Sequence, residues 1–116
     1  MQFELIKDLS LITEYYGEMP ETFNASDDAY EVYKWTLDDQ MLLAEDFVTP
    51  INELCGVCLD VYDVDYFDST KCVLLKSWLE NRLNAPCATR LQELYGVLLD
   101  YASRAIDLKT GVVVEL

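Results

Sequence analysis

Between residues 86 and 108, apolar side chains recur three and four positions apart: Leu91, Leu94, Tyr95, Leu98, Leu99, Ala102, Ala105 and Ile106. That spacing places them on one stripe of a long helix, and a stripe of this length has to be buried against other elements. Gly111 is a natural stop for the helix. Val112-Val113-Val114 then reads as a terminal strand. A second helix of the same kind starts at Asp68 or Ser69 and runs to about Leu83, with Cys72, Leu75, Trp78, Leu79 and Leu83 on one face. Asn84-Ala85-Pro86 breaks it. At the other end of the chain, residues 2–7 alternate as a short strand with Phe3 and Leu5 on one side, and this strand is the natural partner of the terminal one. The predicted class is therefore α+β, mostly helical, with amphipathic helices packed on a small sheet that joins both chain ends.

The middle of the chain is less regular. Ser10 is expected to cap a short helix through Leu11, Ile12, Tyr15 and Tyr16, ending at Gly17, and residues 18–28 read as a loop. Residues 30–37 are rich in aromatic and β-branched types, which fits either a strand or the start of a helix. Asp38 and Asp39 suit a helix start before Met41, Leu42, Leu43, Phe47 and Val48. Thr49-Pro50 is expected to restart a helix through Ile51, Leu54, Cys55, Cys58 and Leu59. Residues 60–68 read as an acidic, aromatic loop. With 116 residues, 52% of them apolar, the chain can fill one core and make a single domain of residues 1–116, with no room for a second core.

Charge divides this domain in two. The formal net charge is −14. Residues 1–70 hold 17 acids against two bases, a net −15, whereas residues 71–116 hold five acids and six bases, a net +1. The first stretch is the expected binding half and the second a near-neutral helical scaffold. Such a field repels nucleic acid and anionic membranes and attracts basic protein surfaces; the plainer reading is that it only keeps the protein soluble. The start of the chain has neither a basic segment nor an apolar run of signal-peptide length, and no run approaches the roughly 18 apolar residues of a membrane span, so the expected compartment is the cytoplasm.

Little in the chain points to catalysis. There is no histidine, which removes the commonest general base, metal ligand and pH switch. The serines lie in no G-x-S-x-G or S-x-x-K context, and four scattered glycines form no phosphate-cradling loop. Cys55-Gly56-Val57-Cys58 is a C-x-x-C, but Cys72 and Cys87 do not supply a second pair at zinc-binding spacing. All four thiols are read as reduced core residues, as are most of Trp35 and Trp78. A calcium loop counted from Asp63 meets Phe67, Asp68 and Leu74 where an oxygen ligand, a glycine and a glutamate are needed. The expectation is a protein that is not an enzyme and takes neither metal nor cofactor.

Two segments remain as candidate binding surface. One is Asp60, Tyr62, Asp63, Asp65, Tyr66, Phe67 and Asp68. The other, within 14–31, is centred on Asp27, Asp28, Tyr30 and Glu31, with Tyr15, Tyr16 and Phe23 among further acids. Both mix carboxylates, which meet arginine and lysine, with aromatic rings, which supply buried contact area. In this composition the chain resembles, as a class, small acidic bacterial immunity proteins and other inhibitors of nuclease toxins. The resemblance implies an antitoxin that covers the basic, phosphate-gripping site of a toxin domain. A phage-type DNA-mimic inhibitor uses the same physics on a different partner. Two other classes stay open: an enzyme holding Mg²⁺ on Asp60, Asp63 and Asp65, and a structural adaptor.

Overall fold

In a computed structural model covering residues 1–116, the alternation at the start of the chain forms strand β1, Gln2–Ile6. It does not form an edge. The sheet order is β4-β1-β6-β5, entirely antiparallel, where β4 is Tyr30–Lys34, β5 is Val64–Asp68 and β6 is Gly111–Glu115. The two chain ends thus pair at the centre, Phe3 opposite Val114 and Leu5 opposite Val112. The open choice for residues 30–37 resolves as a strand followed by a helix. The fold is α+β, as the helical periodicity and the paired ends predict.

Four helices cover one side of this sheet. α1, Leu37–Asp46, begins with a capping box: Thr36 Oγ1 accepts from the Asp39 amide and the Asp39 carboxylate accepts from the Thr36 amide. α2, Val48–Cys55, follows directly after the buried Phe47. It starts ahead of the Thr49-Pro50 expected to open it, with Pro50 in the first turn, where a missing N–H is harmless. It also stops short of Cys58 and Leu59, because Gly56 adopts a left-handed φ of 64° and Asn52 clamps the Leu59 backbone in both directions. α3, Ser69–Leu83, and α4, Thr89–Leu108, lie where the periodicity put them. α4 is stopped by Lys109 at φ 57° rather than by Gly111. Gly111 serves the sheet instead: a Cβ there would collide with the Tyr66 ring and the Phe67 carbonyl.

A cluster of 23 buried residues fills the space between helices and sheet. It draws Phe3, Leu5, Phe67, Val112 and Val114 from the strands and Leu43, Ile51, Leu75, Leu79, Leu94, Tyr95 and Leu98 from the helices. Phe47, Trp78 and Tyr95 pack edge-on or tilted at 5.4 to 6.0 Å between ring centres. Trp35 is buried and Trp78 half-buried, Cys55 and Cys72 are buried, and Cys87 is half-buried. Cys58, expected in the core, is exposed, because the helix that would have turned it inward ends at Cys55.

The other side of the sheet carries no helix. Residues 7–29 cross it as an arm. Its first part is a single 3-10 turn, Leu9–Leu11, capped by Asp8 rather than Ser10. The expected helix through Tyr16 is instead strand β2, Glu14–Tyr16, and the expected loop contains β3, Met19–Glu21, its hairpin partner. The arm anchors through a second cluster of Ile6, Ile12, Ala29 and Val113, so only part of the sheet face lies beneath it.

Candidate partner-binding surface

Antiparallel register fixes where each acidic segment lies. Across the sheet, Lys34, Gln2, Glu115 and Val64 form one row, and Val32, Glu4, Val113 and Tyr66 the next. Tyr30 and Ile6 begin the third, which ends at Gly111 and Asp68. β4 and β5 are the two edges, about 14 Å apart at the usual strand spacing. Asp27 and Asp28 precede β4 at the Asp68 end, whereas Asp60 and Asp63 precede β5 at the Lys34 end. The two expected segments therefore occupy diagonal corners and form no single patch.

Their residues also divide by role. Asp27 and Asp28 are exposed on the turn that closes from Ser26 to Ala29. Tyr30 is half-buried beside the Ile6 cluster. Glu31 turns to the helical side and accepts from Arg104 Nη1 at 2.6 Å. Asp60, Tyr62 and Asp63 are exposed in a turn closed by the Asp63 amide on the Asp60 carbonyl. Tyr62 stands there at φ 67°, a backbone region glycine usually fills. Asp65 is half-buried, and burial with the nearby Asp63 charge raises its carboxyl pKa. Tyr66 is half-buried on the open side, its phenol pushed up to about 12 by burial. Phe67 is a correction: it is fully buried and its neighbours are core side chains, so no partner reaches it. It fell into the segment only because residues 64–68, expected as loop, are a strand whose inner face it occupies. Asp68 is exposed but caps α3, accepting from the Lys71 amide at 2.9 Å.

The three arginines all bind acids of the first 70 residues. Arg90 forms a two-pronged pair with Asp39 at 2.9 and 3.0 Å and reaches Tyr33 and Glu93. Hydrogen bonds from Arg90 hold the Asp39 carboxyl down at about 2. Arg82 pairs in the same way with Asp46, which also accepts from the Tyr95 hydroxyl at 2.7 Å. Burial opposes ionisation of Asp46, but these bonds outweigh it and lower its pKa. The acidic and near-neutral stretches are therefore cross-linked on the helical side, and what remains uncompensated is concentrated elsewhere.

Part of it lies in a cleft of about 610 Å³ between β3 and the open sheet face. Glu4 is its most buried charge, 6% exposed. Burial raises its pKa, a hydrogen bond from the Thr22 hydroxyl works the other way, and the charges of Glu115 and Glu21 raise it further. Apolar lining comes from Met19, Pro20, Val32, Val64 and Val113. Phe23, also lining it, is 91% exposed. A second hollow of about 440 Å³ lies on the other side of the hairpin, between Tyr16, Met19, Tyr66 and Lys71, with Val64 bordering both.

Glu4 and Glu115 were missed in the sequence because each looks like the ordinary polar residue of an alternating strand. The available signal was Glu4 beside Ile6, which breaks a simple inside–outside alternation in β1. No three His, Cys, Asp or Glu side chains, Asp60, Asp63 and Asp65 included, come together as a group that could hold a metal ion. The four cysteines are free thiols; burial pushes Cys72 up to about 12, and its Sγ donates to the Phe67 carbonyl. No family model, curated protein or solved structure matches this chain.

Proposed function

We propose that this chain is a binding protein for a cationic protein, engaged through the open side of the sheet and the hairpin arm. Most concretely it is an acidic inhibitor that covers the basic site of a nuclease-type toxin, as an immunity protein does. The observation that carries this reading is a set of three aromatic rings turned to solvent: Tyr16 is 75%, Tyr62 81% and Phe23 91% exposed. Each stands among carboxylates, with Glu14, Glu18 and Glu21 on the hairpin and Asp60 and Asp63 beside Tyr62. A device for solubility alone needs charge and is harmed by exposed rings. A surface that binds a basic protein uses both, since carboxylates steer the encounter and rings supply desolvated contact area that slows dissociation.

The test is a pull-down from the cells that make the protein, followed by surface plasmon resonance on the captured partner. A basic partner is expected, whose association slows as salt rises from 0.01 to 0.1 M and the Debye length falls from about 30 to about 10 Å. Phe23→Ala and Tyr62→Ala should raise the dissociation rate about tenfold or more, as loss of a central interface ring typically does. A partner of neutral charge, or one whose association ignores salt, would contradict the reading.

A further inference from the structure

Glu4 is the one charged group in the molecule that is more than nine-tenths buried, lines a cleft and forms no ion pair. Asp39 is equally buried, but Arg90 grips it with two hydrogen bonds. Burying a carboxylate without a cation costs several kcal/mol, and glutamine or an apolar residue at the same position would avoid that cost. The hydrogen-bond donors to Glu4 are neutral, the Thr22 hydroxyl on Oε1 and the Gln2 side chain. The other two acids of the cleft, Glu21 and Glu115, repel Glu4 rather than compensate it. Lys34, the one cation lining the cleft, pairs with none of its acids, and the walls beside Glu4, Met19 and Val113, are apolar.

We propose that this cleft is the socket for one arginine side chain of the partner, with Glu4 taking the guanidinium at its floor and Glu21 and Glu115 taking its remaining N–H donors. Arginine fits better than lysine for two reasons. Its planar fork presents five donors to several acceptors at once, whereas an ammonium is a compact, strongly hydrated charge. Its weaker hydration also suits a carboxylate that is only 6% exposed. The aliphatic stem would lie along Met19 and Val113. At the rim Lys34 forms no ion pair, and Glu115 meets the chain's amino terminus only at 3.7 Å. A guanidinium reaching Glu115 therefore displaces only a loose contact.

This assignment rests on a cationic protein partner but can fail separately from it. The experiment is a titration of the ¹⁵N-labelled protein, followed by NMR, with N-acetyl-arginine methylamide, its lysine and citrulline counterparts, and spermine. The arginine probe should give saturable shifts at the Glu4, Thr22 and Val113 amides. The citrulline probe, which has the same shape without charge, should give none. Affinity for the arginine probe should fall at least tenfold in Glu4→Gln and several-fold in Glu21→Gln, the latter on a half-exposed wall where folding is not at stake. Equal shifts from arginine and citrulline, tighter binding of lysine or spermine, or an unchanged affinity in either variant would overturn the socket. A basic partner that binds wild type and Glu4→Gln equally well would remove the socket and leave the acidic binding surface standing.

Discussion

The two faces of the sheet treat buried charge in opposite ways. On the helical face, Asp39 and Asp46 each receive an arginine fork, and both carboxyls are pulled below their ordinary range. On the open face, Glu4 is buried as deeply as Asp39, forms no ion pair, and its pKa is raised. The first arrangement accounts for itself within the folded chain, since a buried pair with well-satisfied hydrogen bonds offsets its own desolvation. The second does not: the Thr22 hydroxyl bonds Glu4, but no cation offsets the desolvation of its charge. A cost that folding does not require points outward, to something that binds.

The contrast can be broken hardest at the helical core. Leu98→Ala or Leu94→Ala, both fully buried between α4 and the sheet, should cost about 2–5 kcal/mol in denaturant unfolding through lost contacts and a cavity. Ile12→Ala, under the arm in the small second cluster, should cost about half as much, because that site can collapse more easily. Equal losses would mean that the arm belongs to the main core.

Next in size is the ion pair. Arg90→Ala leaves Asp39 buried without a cation, held only by the Thr36 amide, and about 2–4 kcal/mol should be lost, somewhat less than for a wholly buried pair because Arg90 is 36% exposed. The pH dependence follows from the direction of the shift. The Asp39 pKa is lowered to about 2 in the fold, against about 3.9 unfolded. Its contribution is therefore complete above about pH 4 and lost as pH falls toward 2. Arg90→Ala should flatten that part of the stability curve.

The smallest effect on folding, and of the opposite sign, is expected at Glu4. A raised carboxyl pKa means that the folded state binds the proton more tightly, so Glu4 destabilises the fold above its folded pKa and has no effect well below its unfolded value. Glu4→Gln should unfold like wild type in acid and be equal or slightly more stable at pH 7. A clear loss of stability at pH 7 would show that Glu4 serves the fold, and the contrast between the faces would vanish.

What the sequence made legible follows from how local each signal is. The apolar stripes of α3 and α4 repeat within a few residues, so both helices could be read, as could the Val112–Val114 strand and its pairing with β1. β5 could not. Its residues 64–68 resemble the acidic, aromatic turn before it, and only pairing with β6 shows Phe67 to be core and Asp68 a helix cap. Glu4 was hidden for the same reason: its burial comes from β4, β6 and β3, which are distant in sequence. The eight tyrosines show the limit well, since nothing in the sequence separates Tyr95, buried against Asp46, from Tyr16 and Tyr62, which point into solvent.

The central claim is that the helix-free side of the sheet is the binding side. Hydrogen–deuterium exchange of the chain, free and with its captured partner, tests it most directly. The account predicts new protection at residues 19–23, 62–64 and 113–115, with the outer faces of α3 and α4 unchanged. Protection confined to those two helices, with the arm and the open strands exchanging as in the free protein, would contradict it.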